Sequence, residues 1–291
     1  MKSLVLAAYL LAVSAPALAL APEAAWKADI ANTDKDYSVA PHAILKIQDA
    51  AYLGEGNTAS LMGQRGVPGS YKWVQGEEKG AALVAAFSGG KPVLTKDGKP
   101  LADGLADVTI DKDVDVQAYP TQVQAGVQGI RVFVYNQQNP AVKEFKGVDY
   151  YPYNPAFIVT ADFTPDPKLP AQSFITSRKT SKQFYRAGIA HFALQGKQFD
   201  LPFYTDTNNP KKITSMSAFF TDELTGKGAY GAGRYVDSPD LKSFPPRSFK
   251  IDFNYAYNPN CARSAFFTCP VAVDHVALAV EAGERDPHFR H

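Results

Sequence analysis

The sequence has few of the features that mark a nucleic-acid-binding, disordered or membrane-embedded protein. Its 30 Lys and Arg residues nearly balance 29 Asp and Glu residues, so there is no basic excess to neutralise phosphates and no nucleic-acid partner is expected. Only 20% of residues are charged and 45% are hydrophobic, which excludes a disordered chain. Beyond the N-terminal apolar run, no segment approaches the length of a membrane helix, so no transmembrane segment is expected.

The common catalytic and cofactor motifs are also missing. There is no Gly-x-Ser-x-Gly nucleophile elbow, no His-Glu-x-x-His zinc motif and no phosphate loop, so we expect no cofactor. The sequence has five histidines. His275 follows Cys269 at a spacing that fits no standard zinc site, so we expect no metal. His191 shares a predicted strand face with Ala187 and Ala193, which indicates a buried, hydrogen-bonded histidine rather than a catalytic base.

The chain begins with the pattern of a secretory signal peptide. Lys2 precedes an apolar run over residues 4–13, and Ala17 and Ala19 form a small-x-small cleavage site. We expect cleavage after Ala19, and a mature protein that is periplasmic or secreted. Cys261 and Cys269 are the two cysteines of the sequence, and in an oxidising compartment such a pair predicts a disulfide. A metal site at this pair would need further ligands.

Short apolar segments bounded by Gly, Pro and Asn run through most of the chain, which predicts an all-β, mainly antiparallel fold. After the signal peptide (1–19) we expect an irregular lead-in (20–42) with at most a short helix at 24–31. A small β-sandwich-like domain (43–138) and a linker (139–156) follow. A larger β-meander or barrel-like domain (157–291) completes the chain. Its predicted hairpins pair residues 183–194 with 199–205 and 214–221 with 229–236, and further strands cover 248–257 and 275–281.

The densest polar cluster lies in this C-terminal domain. Alternation along the predicted strand 248–257 places one set of residues on the core side, namely Phe249, Ile251, Phe253 and Tyr255. The opposite face, with Lys250, Asp252 and Asn254, is either solvated or lines a cleft. Asp222 and Thr225 flank a predicted hairpin turn, where such residues commonly bond the local backbone.

Arg234 follows two glycines, Gly231 and Gly233, on a predicted strand. Glycines in strands mark a bulge or the close approach of a ligand or another backbone, and a guanidinium can hold a carboxylate or phosphate through two hydrogen bonds. Two interpretations stay open. Arg234 either forms a structural pair with a carboxylate, such as Asp252 or Glu284, or binds an anionic ligand.

A characteristic order of residues runs through the second half of the chain: Phe219 to Asp222, Thr225, Gly226, Tyr230, Gly233 to Tyr235, Asp252, Asn254, Tyr257 to Pro259, Cys261, Cys269 and Gly283. This order resembles the family catalogued as domain of unknown function 1684. The resemblance extends more loosely upstream through residues 129–131 and 145–152. It implies that the family signature comprises Arg234, Asp252, Asn254, Asn258, Cys261, Cys269 and Glu284. It implies no activity, and it implies that reduced thiols are tolerated at the cysteine pair.

Three functions are compatible with these observations. The first is binding of a small polar or anionic ligand in a cleft of the C-terminal β domain, with six candidate residues: Arg234, Asp252, Asn254, Asn258, Glu284 and Tyr230. The alternative is a hydrolase-type enzyme that uses Asp252 or Glu284 as general acid or base. A structural protein of the cell envelope is the third. Binding is favoured because the sequence shows no recognised nucleophile, metal set or cofactor motif.

Overall fold

The computed structural model describes residues 22–286, so the predicted signal peptide (1–19) lies outside the described residues. Within residues 22–286 the chain is mostly β, with two α-helices, α1 (Pro22–Ser38) and α2 (Pro140–Glu144). This confirms the all-β prediction. Helix α1 is longer than the short helix expected at 24–31, and its one buried residue, Trp26, bonds to the Asn254 carbonyl oxygen in the C-terminal part. In the same range, no helix is long and apolar enough to cross a membrane.

The first part of the described chain forms two antiparallel sheets. Their strands are β1 (Ile47–Leu53), β2 (Thr58–Met62), β3 (Lys72–Gln75), β4 (Leu83–Ser88), β5 (Lys91–Lys96), β6 (Lys99–Pro100), β7 (Val108–Asp111), β8 (Val114–Gln124) and β9 (Val127–Asn136). One sheet has the order β1-β9-β8-β7 and the other β3-β2-β4-β5-β6. Leu61 and Leu83 from one sheet share a buried core with Val116 and Val132 from the other. The two sheets therefore form the expected β-sandwich.

The second part forms one large sheet. Its strands are β10 (Ile158–Pro165), β11 (Ala171–Ile175), β12 (Ser181–Leu194), β13 (Lys197–Thr205), β14 (Ser217–Asp222), β15 (Arg234–Asp237), β16 (Ser248–Asp252) and β17 (Asp274–Val276). The main order is β15-β14-β13-β12-β10-β16, with β11 paired to β12 and β17 paired in parallel to β14. The predicted β12–β13 hairpin is confirmed, since Leu194 pairs with Lys197.

Two strands in this part differ from the prediction, one in its connection to its partner strand and one in its length. Strand β14 pairs with β15 through Ser217–Asp237 and Phe220–Arg234, so a long connection replaces the expected tight turn. The predicted strand 275–281 shortens to β17.

Strand β16 is also shorter than the predicted 248–257. It ends at Asp252 because the Asp252 carboxylate accepts a hydrogen bond from the Asn254 N–H at 2.9 Å and begins a 3-10 turn over Phe253–Tyr255. The strand alternation is lost beyond this point. Asn254 is consequently buried, whereas Tyr255, expected in the core, is 40% exposed.

His191 was expected to be buried, and its side chain is 40% exposed. A β-bulge lies between Arg186 and Gly188 in the pairing of β12 with β13, and a bulge changes which residues face the core. Beyond it Ala190 and Phe192 are buried, and His191 points outward. Its ring nitrogens contact Asp200 Oδ1 at 2.6 Å and Thr164 Oγ1 at 2.9 Å.

Candidate functional site

A cleft of about 510 Å³ lies between helix α1 and the edge of the large sheet at β16. Its lining combines rings with carboxylates, a mixture of the kind found in ligand sites. The aromatic lining residues are Trp26, Tyr37, Tyr150, Tyr255 and Tyr257. The polar lining residues include Asp29, Thr33, Asp237, Ser238, Lys250, Asp252 and Glu284. One wall therefore comes from the first helix and the other from the C-terminal sheet.

Helix α1 forms its wall through residues on one face. Trp26, Ile30, Thr33 and Tyr37 line the cleft, and their spacing of three to four residues puts them on one side of a helix. The buried Trp26 anchors the helix, because its indole N–H donates to the Asn254 carbonyl oxygen at 2.9 Å. The Trp26 ring also packs edge-on against Tyr150, with ring centroids 5.8 Å apart.

Four carboxylates line the cleft. Glu284 is paired with Arg263, and the other three, Asp29, Asp237 and Asp252, form no salt bridge with a residue in the described range. Asp29 accepts a hydrogen bond from the Tyr255 hydroxyl at 2.7 Å, and Asp237 accepts one from Tyr257 at 3.2 Å. Asp252 uses Oδ1 to cap the turn at Asn254. The cleft is therefore an acidic site with aromatic walls.

The cleft tyrosines stay protonated at neutral pH. Burial, together with the Asp29 carboxylate, raises the pKa of Tyr255, and burial and Asp237 do the same for the pKa of Tyr257. Burial raises the pKa of Tyr37 to about 12, although the nearby Arg263 opposes the increase. Each phenol therefore acts as a neutral hydrogen-bond donor.

A buried ion pair supports the floor of the cleft. Glu284 has no exposed surface, and its Oε2 accepts hydrogen bonds from Arg263 Nη2 at 2.6 Å and from the Asn258 N–H at 2.7 Å. The Arg263 guanidinium lies over the Tyr37 ring, 4.4 Å from its centroid. Gly283 precedes Glu284 with φ of 76°, and a Cβ there would lie 2.7 Å from the Phe253 carbonyl oxygen. Only glycine fits this position without strain.

Arg234 lies away from the cleft in a second buried ion pair. The residue is 1% exposed, and its terminal nitrogens bond to Asp222 Oδ2 at 2.6 Å and to the carbonyl oxygens of Val280, Ala282 and Glu284. Gly233 precedes it because a Cβ there would lie 2.7 Å from the Phe220 carbonyl oxygen. The glycine thus marks the approach of another backbone, and Asp222, expected only to bond its own turn, is the partner of Arg234.

The remaining predicted site residues are dispersed. The Asn254 side chain is buried and bonds to the Asn154 backbone and to Asp252, while the Asn258 amide donates to the Arg285 carbonyl oxygen at 2.7 Å. The Tyr230 hydroxyl lies 3.9 Å from Cys261 Sγ. Of the six predicted ligand-binding residues, two line the cleft: Asp252, with a partly exposed side chain, and Glu284, which is fully buried.

The predicted disulfide is not formed, since Cys261 and Cys269 are both buried free thiols. The Cys261 N–H donates to Cys269 Sγ at 3.3 Å, and both residues pack in a hydrophobic cluster with Phe133 and Phe267. The contact between the two thiol side chains lowers the pKa of Cys261 and raises the pKa of Cys269. The described residues contain no group of three or more His, Cys, Asp or Glu that could hold a metal ion.

Sequence reasoning missed one whole wall of the cleft. Trp26, Asp29 and Tyr37 lie in the segment expected to be irregular. The three-to-four-residue spacing of Trp26, Ile30, Thr33 and Tyr37 was a signal for a helix with one packed face. Asp237 carried no such signal, because its place at the cleft follows from the pairing of β15 with β14.

Comparisons with known proteins agree with the resemblance in the second half of the chain. Residues 143–285 match the family model described as protein of unknown function, DUF1684. Among solved structures, the chain is similar to an uncharacterised protein of Haloarcula marismortui determined by solution NMR. The two are 27% identical, the match covers 50% of this chain and 80% of that one, and the TM-score is 0.42. No curated protein matches. Helix α1 precedes the residues matched by the family model.

Proposed function

The chain belongs to the DUF1684 family through residues 143–285, and from this premise we propose that it binds a small polar ligand in the cleft between α1 and β16. The observation that supports the proposal is the cleft itself. About 510 Å³ is large enough for a small molecule, and five aromatic rings stand beside carboxylates that have no basic partner among the described residues. Tyr255, Tyr257 and Asn254 donate hydrogen bonds to these carboxylates, but no described residue neutralises their charge, and a bound ligand would do so.

The other roles expected from the sequence have less support. A general acid–base role for Glu284 would require free carboxylate oxygens, yet Arg263 and Asn258 occupy Oε2 and the Tyr150 hydroxyl lies 3.4 Å from Oε1. Asp252, the other candidate acid or base, caps a turn through Oδ1 and has no partner for Oδ2 among the described residues, so it supports ligand binding as well as catalysis. An anion clamp by Arg234 would require an accessible guanidinium, and its terminal nitrogens are engaged by Asp222 and three carbonyl groups. A purely structural role does not account for the open cleft.

Equilibrium dialysis against a small-molecule extract of the source cells tests the proposal. The full chain should enrich at least one compound inside the dialysis bag, which mass spectrometry identifies after denaturation. Thr33 lines the cleft on α1, so Thr33→Trp should fill the cleft and abolish the enrichment.

A tryptophan on the outer side of the same helix provides the matched control. Lys27 is 66% exposed and pairs with Glu23, so Lys27→Trp should fold like Thr33→Trp and retain the enrichment. A wild-type protein that enriches nothing, or equal enrichment by the Thr33→Trp variant, would contradict binding in this cleft.

We propose export as well, on the basis of the signal pattern in residues 2–19. The expected cleavage site after Ala19 precedes the described residues, which start with helix α1 at Pro22. N-terminal sequencing of the protein from its source cells should begin at Leu20, and a mature protein that still begins at Met1 would contradict export by this route.

A further inference from the structure

Four of the hydrogen-bond donors in the lining of the cleft are used inside the protein, and this leaves the cleft with more acceptors than donors. The Trp26 indole N–H donates to the Asn254 carbonyl oxygen, and the Thr33 hydroxyl donates to the Asp29 carbonyl oxygen at 3.0 Å. The hydroxyls of Tyr255 and Tyr257 donate to the carboxylates of Asp29 and Asp237. Each phenol oxygen then has only lone pairs left to offer.

Carboxylate oxygens add to this excess of acceptors. Asp29 Oδ1 and Asp252 Oδ2 have no hydrogen-bond partner among the described residues, because Tyr255 bonds to the other oxygen of Asp29 and Asn254 to the other oxygen of Asp252. Among the described lining residues, Lys250 is the only basic one. The cleft therefore favours a ligand that carries positive charge and several hydrogen-bond donors.

The aromatic walls favour the same kind of ligand. The faces of tryptophan and tyrosine rings attract cations through their quadrupoles, and the attraction is largest where water is excluded. An anion would meet three carboxylates without a free arginine. A neutral polyol would need donors for its own oxygens, and in the described lining the donors without an internal hydrogen bond are few, chiefly the Lys250 ammonium.

We propose that the ligand is an organic cation, a protonated amine whose N–H groups donate to Asp29 and Asp252 while its hydrocarbon part packs against the rings. An ammonium group has three donors and no acceptor, which complements an acceptor-rich lining. This inference rests on the proposed binding function and narrows its ligand class.

Three probes with one hydrocarbon skeleton test the charge preference: cyclohexylmethylamine, cyclohexylmethanol and cyclohexanecarboxylate. The chain has two tryptophans, so the indole N–H region of a ¹⁵N-edited NMR spectrum contains two signals, and Trp73→Phe assigns that of Trp26. At neutral pH the Trp26 signal should shift with an affinity for the amine at least about tenfold above that for the alcohol, and the carboxylate should bind more weakly still.

Variants of the lining separate charge from shape. Asp29→Asn and Asp252→Asn keep an oxygen acceptor and remove the charge, so each should weaken amine binding about fivefold and leave alcohol binding unchanged. Lys250→Gln should strengthen amine binding. If Asp252→Asn fails to fold because Asp252 caps a turn, Asp29→Asn decides the question, since Asp29 is exposed on helix α1.

Two outcomes of the probe experiment would overturn the preference for a cation. Equal affinity for amine and alcohol, or a preference for the carboxylate, would overturn the inference and leave the binding function standing. No shift of the Trp26 signal with any of the three probes would also overturn it, and the dialysis comparison of wild type with Thr33→Trp would then decide the binding function by itself.

Discussion

At the scale of single residues, the signature of this chain consists largely of groups that hold the C-terminal half together. Arg234 and Asp222 form one fully buried ion pair, and Arg263 and Glu284 form another. Both arginines also donate to backbone carbonyl oxygens. Arg234 bonds to the backbone of residues 280–284 and Arg263 to the Glu284 side chain, so the pairs fix the segment 280–284 in place. The side chains that line the cleft are mainly tyrosine and aspartate, and only Asp252 and Glu284 belong to both sets.

Arg234→Ala should strongly destabilise the protein. Removing one partner leaves a buried Asp222 carboxylate without its cation, which costs about 3–5 kcal/mol. Urea unfolding measures the change. Arg234→Lys should also destabilise, because an ammonium cannot reproduce the planar fork of the guanidinium.

Arg285→Ala provides the control for this prediction. Arg285 and Asp149 form an exposed pair, each with 47% of the side chain accessible, and such a pair contributes at most about 1 kcal/mol. Equal, small losses of stability in Arg234→Ala and Arg285→Ala would show that Arg234 does not have the structural role described above.

Some of these residue contacts could be predicted from the sequence, and others could not. Gly233, before Arg234, and Gly283, before Glu284, each lie in close contact with another backbone segment. A structural ion pair for Arg234 was one of the two interpretations drawn from the sequence. The carboxylate that pairs with Arg234 could not be predicted. Asp222 rather than Asp252 is the partner because of the path that residues 223–233 take back to the sheet. The free cysteines were missed for a related reason, since the spacing of two thiols says nothing of the hydrogen bond between them.

At the scale of elements, helix α1 forms one wall of the cleft, and the edge of the large sheet at β16 forms the other. The helix is anchored by Trp26 on the Asn254 carbonyl oxygen and by the Val148 N–H, which donates to Asp34 Oδ1 at 3.0 Å. The β12–β13 hairpin was predictable from turn residues and alternation. The end of β16 and the bulge in β12 were not, because each depends on a local hydrogen-bond arrangement that apolar periodicity does not encode.

Trp26→Ala should detach α1 while the sheet stays folded. The substitution removes the largest buried side chain of the helix together with its hydrogen bond, at a cost of about 3–5 kcal/mol. Hydrogen exchange monitored by mass spectrometry should show faster exchange over residues 22–38 and unchanged exchange in β12 and β13. Lys27→Ala, on the exposed side, should leave exchange unchanged, and a Trp26→Ala variant with a fully protected helix would show that the anchor lies elsewhere.

At the scale of the whole molecule, the site is built from chain segments more than two hundred residues apart, since the helix at 22–38 and the sheet edge at 250–257 face each other. The sandwich packs on the same C-terminal part through Phe133 and Phe267, whose ring centroids are 5.0 Å apart. The all-β class and the sandwich could be predicted from local patterns. The cleft could not, because only the folded chain brings its two walls together.

The measurement that tests this account most directly is the enrichment of cell-extract compounds by the wild-type chain relative to Thr33→Trp. The account predicts a small molecule, positively charged at neutral pH, that is enriched by wild type and by Lys27→Trp and is lost with Thr33→Trp. Enrichment that survives the filled cleft, or no enrichment by any of the three proteins, would contradict it.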